Sequence, residues 1–156
     1  MHDEGEYARE LAVASLSSSF GASTSVVQTI RTVMQKDPAH PVQVRAATLF
    51  AAMHARLPAK DAERNTALAE VVGFFRQYGD GCERTDRTWG WRLLGNSLLR
   101  FGQDGEAALK ALLADATNRE LSDRAWRILY LKQGDQFFRM TEAEDAAVHK
   151  LHPWLK

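Results

Sequence analysis

The sequence predicts an all-α protein of stacked antiparallel helical pairs, about seven helices in one array. Three observations predict this. Apolar residues recur at helical spacing along most of the chain, and strand-like alternation appears nowhere. Short breaks rich in Pro, Gly or polar residues separate the periodic stretches. An Asp-Arg-x-Trp opening also occurs twice, in Asp86-Arg87-Thr88-Trp89 and in Asp123-Arg124-Ala125-Trp126, at a spacing of roughly 37 residues. With 156 residues the chain is long enough for one real core and short of two ordinary domains, so a single domain over 1–156 is expected. A composition of 45% hydrophobic and 26% charged residues is that of a chain that folds.

The first helix falls within 3–20. It opens acidic, sets Tyr7, Leu11 and Ala14 on one stripe and Val13, Leu16 and Phe20 on a neighbouring one, and ends near Ser17-Ser18-Ser19-Phe20-Gly21. Ser25 and Gln28 have the spacing of a capping box, in which each side chain satisfies the other's exposed amide. Val26, Val27, Ile30, Val33 and Met34 then follow at helical spacing. The turn Asp37-Pro38-Ala39-His40-Pro41 stops that helix, and Pro41 suits the first turn of the next because its missing N–H is not needed there.

This third helix has two apolar faces, Val44, Ala47, Ala51 and Ala55 on one and Ala46, Phe50, Met53 and Leu57 on the other. Two such faces predict burial on both sides. A helix from about Asp61 to Tyr78 carries Leu68, Val71, Val72 and Phe75, with Gly79 as its stop. After a polar loop over 80–85, the helix Asp86 to Phe101 aligns Trp91, Leu94, Leu98 and Phe101, and Gly102 ends it in the same way. Gly105 to Asp115 makes a shorter amphipathic helix with Ala108, Leu109, Leu112 and Leu113 on one face. Thr141 and Glu144 form a second capping-box pattern, which opens a last helix running to about His152.

A helix of the form x-A-L-x-x-L-L-x-D, a short polar turn, and a second helix opening near an Asp-Arg resembles a HEAT repeat. The resemblance covers 85–132 best and 41–57 in part, through Val44, Arg45, Ala46, Ala47 and Leu49. The chain departs from the pattern by placing Trp89, Trp91 and Trp126 where small residues are usual. The resemblance implies a helical-repeat surface suited to interactions.

Lys plus Arg and Asp plus Glu are 20 each, a balance that disfavours nucleic acid and anionic membranes as partners. The one cysteine, Cys82, has no internal disulfide partner, and its acidic neighbours Asp80 and Glu83 disfavour an activated thiolate. No apolar stretch approaches the about 20 residues that span a bilayer, and the acidic start lacks the basic region of a signal peptide, so a cytoplasmic location is expected. His149 and His152, with Asp145, have a spacing that places metal ligands on one helix face, but a fourth ligand has no source. Ser17, Ser18, Ser19 and Ser97 lack a nucleophile setting. Gly90 and Gly95 match the glycine spacing of a P-loop without its Lys, and lie inside a helix, where they permit close packing. The carboxylates Asp61, Glu63, Glu142, Glu144 and Asp145 sit at helix N-termini, where the helix dipole alone explains them. No catalytic residue, metal or cofactor is expected.

One constellation combines aromatic and basic residues: Arg87, Trp89, Trp91, Arg92 and Arg100 on one helix, then Arg124, Trp126, Arg127 and Tyr130 on another. Residues two apart on a helix point to different faces, so Trp91, in line with Leu94 and Leu98, belongs to the core, while Trp89, in line with Arg92 and Asn96, either faces solvent or packs between layers. Arg87, Trp89, Arg92, Trp126 and Arg127 are the candidate binding residues. The function expected from them is a non-enzymatic interaction module for a protein partner or a neighbouring domain of its parent chain. Two alternatives are an accessory carbohydrate-binding domain of a larger bacterial polysaccharide-processing protein, stacking sugar on Trp89 or Trp126, and a small relative of the HEAT-like DNA glycosylases.

Overall fold

The computed structural model describes residues 4–19, 23–79, 88–115, 117–130 and 141–155, apart from the side chains of 17–19, 78, 79, 88 and 89. These residues form eight α-helices and no strand, so the all-α expectation holds with one helix more than expected. The helices are α1 (Glu4–Ser19), α2 (Thr24–Lys36), α3 (His40–His54), α4 (Ala62–Gly79), α5 (Thr88–Leu99), α6 (Gln103–Leu113), α7 (Arg119–Tyr130) and α8 (Glu142–Leu151). By packing, the chain divides into two compact units, Met1–Phe74 and Phe75–Lys156, with the division inside α4.

In the first unit α3 packs against both α1 and α2. Its two apolar faces are both covered, with Val42, Ala46, Ala47, Phe50 and Ala51 fully buried. Pro41 lies in its first turn, as its fixed φ favours. At the other end His54 is buried, and because a carbonyl can only accept, its Nδ1–H donates to the Phe50 carbonyl at 2.8 Å. That leaves Nε2 facing Glu63 of α4 at 3.7 Å. The Arg31 guanidinium ties α2 to α4 by paired bonds to Glu70, at 3.1 and 2.8 Å, and lies 5.2 Å from the centre of the Phe50 ring. Its aliphatic stem and flat head cover the ring while the charge stays paired.

The helix ends follow local chemistry. Asp61 caps α4, its Oδ1 accepting from the amides of Glu63 at 2.8 Å and Arg64 at 3.2 Å. The capping box expected at Ser25 and Gln28 does not form: α2 starts two residues earlier, with Ser23 at the cap, and the third helical position is then Val26, which has no group to return the bond. The Thr141 and Glu144 box does form: the Glu144 amide donates to the Thr141 hydroxyl at 3.2 Å, and the Thr141 amide donates to the Glu144 carboxylate at 2.8 Å.

In the second unit α5, α6 and α7 pack on one another. Trp91, Leu94 and Leu98 of α5, Leu109 and Leu112 of α6, and Leu121, Ala125 and Leu129 of α7 are buried. Two glycines set the spacing. A Cβ on Gly95 would lie 2.4 Å from Ile128 Cγ1, and one on Gly105 would lie 1.8 Å from the Leu98 carbonyl oxygen. Gly102, between α5 and α6, has φ 62° and ψ −134°, a positive-φ turn conformation that glycine favours but not the left-handed helical stop expected from sequence. α7 opens earlier than its Asp-Arg pair implies: the Asn118 side chain caps the Leu121 amide at 3.0 Å, so Asp123 and Arg124 fall in the second turn. The counterpart Asp86 and Arg87 lie outside the described residues.

Candidate interaction surface

The five candidate binding residues do not share one environment. Arg87 lies outside the described residues; Trp89 is the second residue of α5, and its side chain also lies outside them. Arg92 is exposed, with its guanidinium carbon 5.3 Å from the centre of the Trp91 ring. Trp91 itself is buried, as its alignment with Leu94 and Leu98 predicts. Arg127 is half-buried and turned back along its own helix, its Nε donating to Asp123 Oδ2 at 2.8 Å. The approach of Gly95 to Ile128 sets α5 and α7, which carry these arginines, side by side.

Trp126 corrects the sequence reading. Only 5% of it is exposed, so it is a core ring and not a platform for a ligand. Its indole stacks on Tyr130 at 5.0 Å and 13°, meets the edge of His149 at 5.8 Å, and donates through Nε1 to Asp145 Oδ1 at 3.3 Å. The cause is its place on α7, one turn after the buried Ser122 and one turn before the buried Leu129. That i−4, i+3 relation was readable, but the alignment on Trp89 obscured it.

The two histidines with metal-ligand spacing serve different partners. His149 Nε2 lies 3.5 Å from Asp145 on its own helix, whereas His152 is fully buried and its Nε2–H donates to the Leu113 carbonyl at 2.6 Å. Among the described residues no group of three or more His, Cys, Asp or Glu side chains is placed to hold a metal. His152 also meets the edge of Trp154 at 4.8 Å, and Arg119 lies 4.9 Å from the Trp154 ring centre. With Leu155 buried as well, this fixes the segment after α8 onto the end of α6 and the start of α7.

The carboxylates at helix N-termini act as caps and ion pairs. Lys110 donates to Glu144 at 2.6 Å, and with the Thr141 amide and hydroxyl it holds the Glu144 carboxyl down at about 2. Asp115 is likewise lowered, first by the Thr117 hydroxyl and then by the Thr117 amide. Ser97 donates to the Leu93 carbonyl at 2.7 Å, which commits its proton to the helix backbone.

What sequence reasoning missed is apolar exposure. Leu93, next to Arg92, is 37% exposed, and on α1 Tyr7 and Leu11 are 61% and 50% exposed. Helical periodicity shows which residues share a stripe, but not which stripe faces the core. No described helix is long and apolar enough to cross a membrane. No family model, curated protein or solved structure matches this chain.

Proposed function

We propose that the chain is a non-enzymatic, HEAT-like interaction module of the cytoplasm, which binds a protein partner or a neighbouring domain of its parent chain through the outer face of α5. The observation that carries this reading is Arg92 laid over the Trp91 ring with exposed Leu93 beside it. A guanidinium resting on an indole is already ordered, so less side-chain freedom is lost on binding than for an arginine loose in water. Arginine is also among the residues that most often anchor protein interfaces. Arg87 and Trp89 precede this pair in sequence and stay candidates on the sequence alone. Trp126 does not, and the burial of its ring leaves the carbohydrate reading with Trp89 alone.

The test is affinity capture with the wild-type chain and an Arg92→Glu variant, followed by crosslinking to identify the captured protein and by thermal melts of both chains. Loss of the captured protein with an unchanged melt is the expected result. Equal capture by both chains removes α5 from the binding face.

A further inference from the structure

The open side of α5 carries cations and no carboxylate. From Thr88 to Arg100 the chain holds Arg92 and Arg100 but neither Asp nor Glu. By the 3.6-residue period Arg92, Leu93, Asn96, Leu99 and Arg100 share one side of the helix and of the turn that ends it. That side faces out: Arg92, Leu93 and Arg100 are exposed and Asn96 and Leu99 half-buried, whereas Leu94, Ser97 and Leu98 are buried. The next acidic residues, Asp104 and Glu106, belong to α6, which meets α5 over Leu98 on the buried side, and neither is free. On α7, Arg124 and Arg127 pair with Glu120 and Asp123 of their own helix. Among the described residues no carboxylate forms an ion pair with Arg92 or Arg100.

This charge selects what the face binds. α5 with Arg100, together with α7, carries five arginines against Glu120 and Asp123, in a chain whose net charge is zero. An indole face takes no N–H in a conventional hydrogen bond, so Arg92, over Trp91, keeps the fork of its guanidinium for a carboxylate. Arg92 and Arg100 are eight residues apart, about 12 Å along the helix axis, or about two turns of a helix laid beside it. We propose that the partner segment on α5 is an acidic amphipathic helix, with apolar side chains against Leu93 and Leu99 and Asp or Glu residues about two turns apart on Arg92 and Arg100. This rests on α5 being the binding face and adds the chemistry of what that face binds. A nucleic acid draws its affinity from many neutralised phosphates, not two, and gains nothing from Leu93. A second copy of this chain would set arginine against arginine.

The experiment uses the whole chain and a fluorescently labelled Leu/Glu amphipathic helical peptide, with a Leu/Lys peptide of the same apolar pattern as control. Polarisation titrations are run on the wild type, on a variant carrying both Arg92→Gln and Arg100→Gln, and on Leu93→Asn, with circular dichroism and thermal melts confirming that each keeps its fold. The expected result is binding of the Leu/Glu peptide at least about tenfold tighter than the Leu/Lys peptide, weakened by salt, with a loss of about tenfold or more in the double variant and a smaller loss in Leu93→Asn. Absence of Leu/Glu binding, or full binding by the double variant, overturns the proposal. Equal binding of both peptides that Leu93→Asn weakens overturns it but keeps α5 as the binding face, whereas Leu/Glu binding that no substitution weakens removes α5 as well. Two other outcomes also overturn it: a single-stranded oligonucleotide bound more tightly than the Leu/Glu peptide and lost in the double variant, which makes nucleic acid the occupant, and a peptide-independent dimer that Leu93→Asn dissociates, which makes a second copy the occupant.

Discussion

The two units bring helices close together by different means. In the first, α3 presents Ala46, Ala47 and Ala51, all fully buried, to its neighbours. In the second, contact is made over Gly95 and Gly105, where a Cβ would collide with Ile128 or with the Leu98 backbone. Alanine is the best helix former, while glycine in a helix interior costs about 0.8–1.0 kcal/mol. The difference teaches that glycine persists where even a methyl group is too large, and that alanine serves where the gap is one methyl wider.

The largest expected effect tests the tighter of the two glycines. In Gly105→Ala the new methyl would sit inside the radius of the Leu98 carbonyl oxygen, a backbone atom that no rotamer change can move. A loss of about 3 kcal/mol or more is expected, at the upper end of overpacking penalties. Urea denaturation measures it. A loss below about 1 kcal/mol would show that α6 slides freely on α5, and the contrast between the units would fail.

Gly95→Ala should cost less, about 1–3 kcal/mol, because its obstacle is a side chain that can shift in part. The penalty should shrink in an Ile128→Ala background, since that change removes the three atoms nearest to the new methyl. A double-mutant cycle with no coupling between the two positions would mean that Gly95 has some other role.

These contacts also show what was legible in the sequence. The packing role of Gly95 could be read, because a glycine within a helical stripe and lacking the rest of a phosphate loop has few other uses. The Thr141 and Glu144 capping box could be read because it closes within four residues. Burial on both faces of α3 followed from its two apolar stripes. The Ser25 and Gln28 box failed because cap position depends on where the backbone first turns, and Ser23 turned first. Trp126 was misplaced because its alignment on Trp89 outweighed its local stripe with Ser122 and Leu129, while the α8 residues that meet its indole, Asp145 and His149, are distant in sequence. His152 required still longer reach, since its acceptor is the Leu113 carbonyl, and backbone carbonyls carry no signature in the sequence. The exposure of Tyr7 and Leu11 on α1 was hidden for the same reason, because Arg9 of that helix finds Asp37 only once α2 has ended beside it. Of the α5 face, Arg92 was legible and Leu93 was not, as a lone exposed leucine looks like core.

Gly73 of α4 tests the comparison from the other side. A Cβ there meets nothing within 4 Å, so its glycine is not required by packing. Gly73→Ala should stabilise the protein by about 0.5–1 kcal/mol through the lower entropy of the unfolded chain. A thermal melt shows this as a rise. A fall would mean that unit 1 also uses glycine for close approach.

The smallest effect concerns charge, and it separates a cap from an ion pair in the second unit. Glu144 is held at about 2, from an ordinary value of 4.5, by the Lys110 ammonium first and by the Thr141 cap second. A carboxyl lowered in the folded state stabilises that state fully above its ordinary value, and the contribution is lost as pH falls toward the folded value. The melting temperature should therefore lose this contribution between about pH 4.5 and about pH 2, in a chain that other carboxylates are also destabilising. Glu144→Gln isolates the charge, because glutamine keeps the geometry of a capping box and cannot ionise. The gap between the wild type and Glu144→Gln should be widest above about pH 5 and should close near pH 2. Because Glu144 is 42% exposed and Lys110 is 37% exposed, added salt should narrow the gap at neutral pH. A gap that stays constant across the titration would assign the stabilisation to the cap alone, with Lys110 a bystander on the surface.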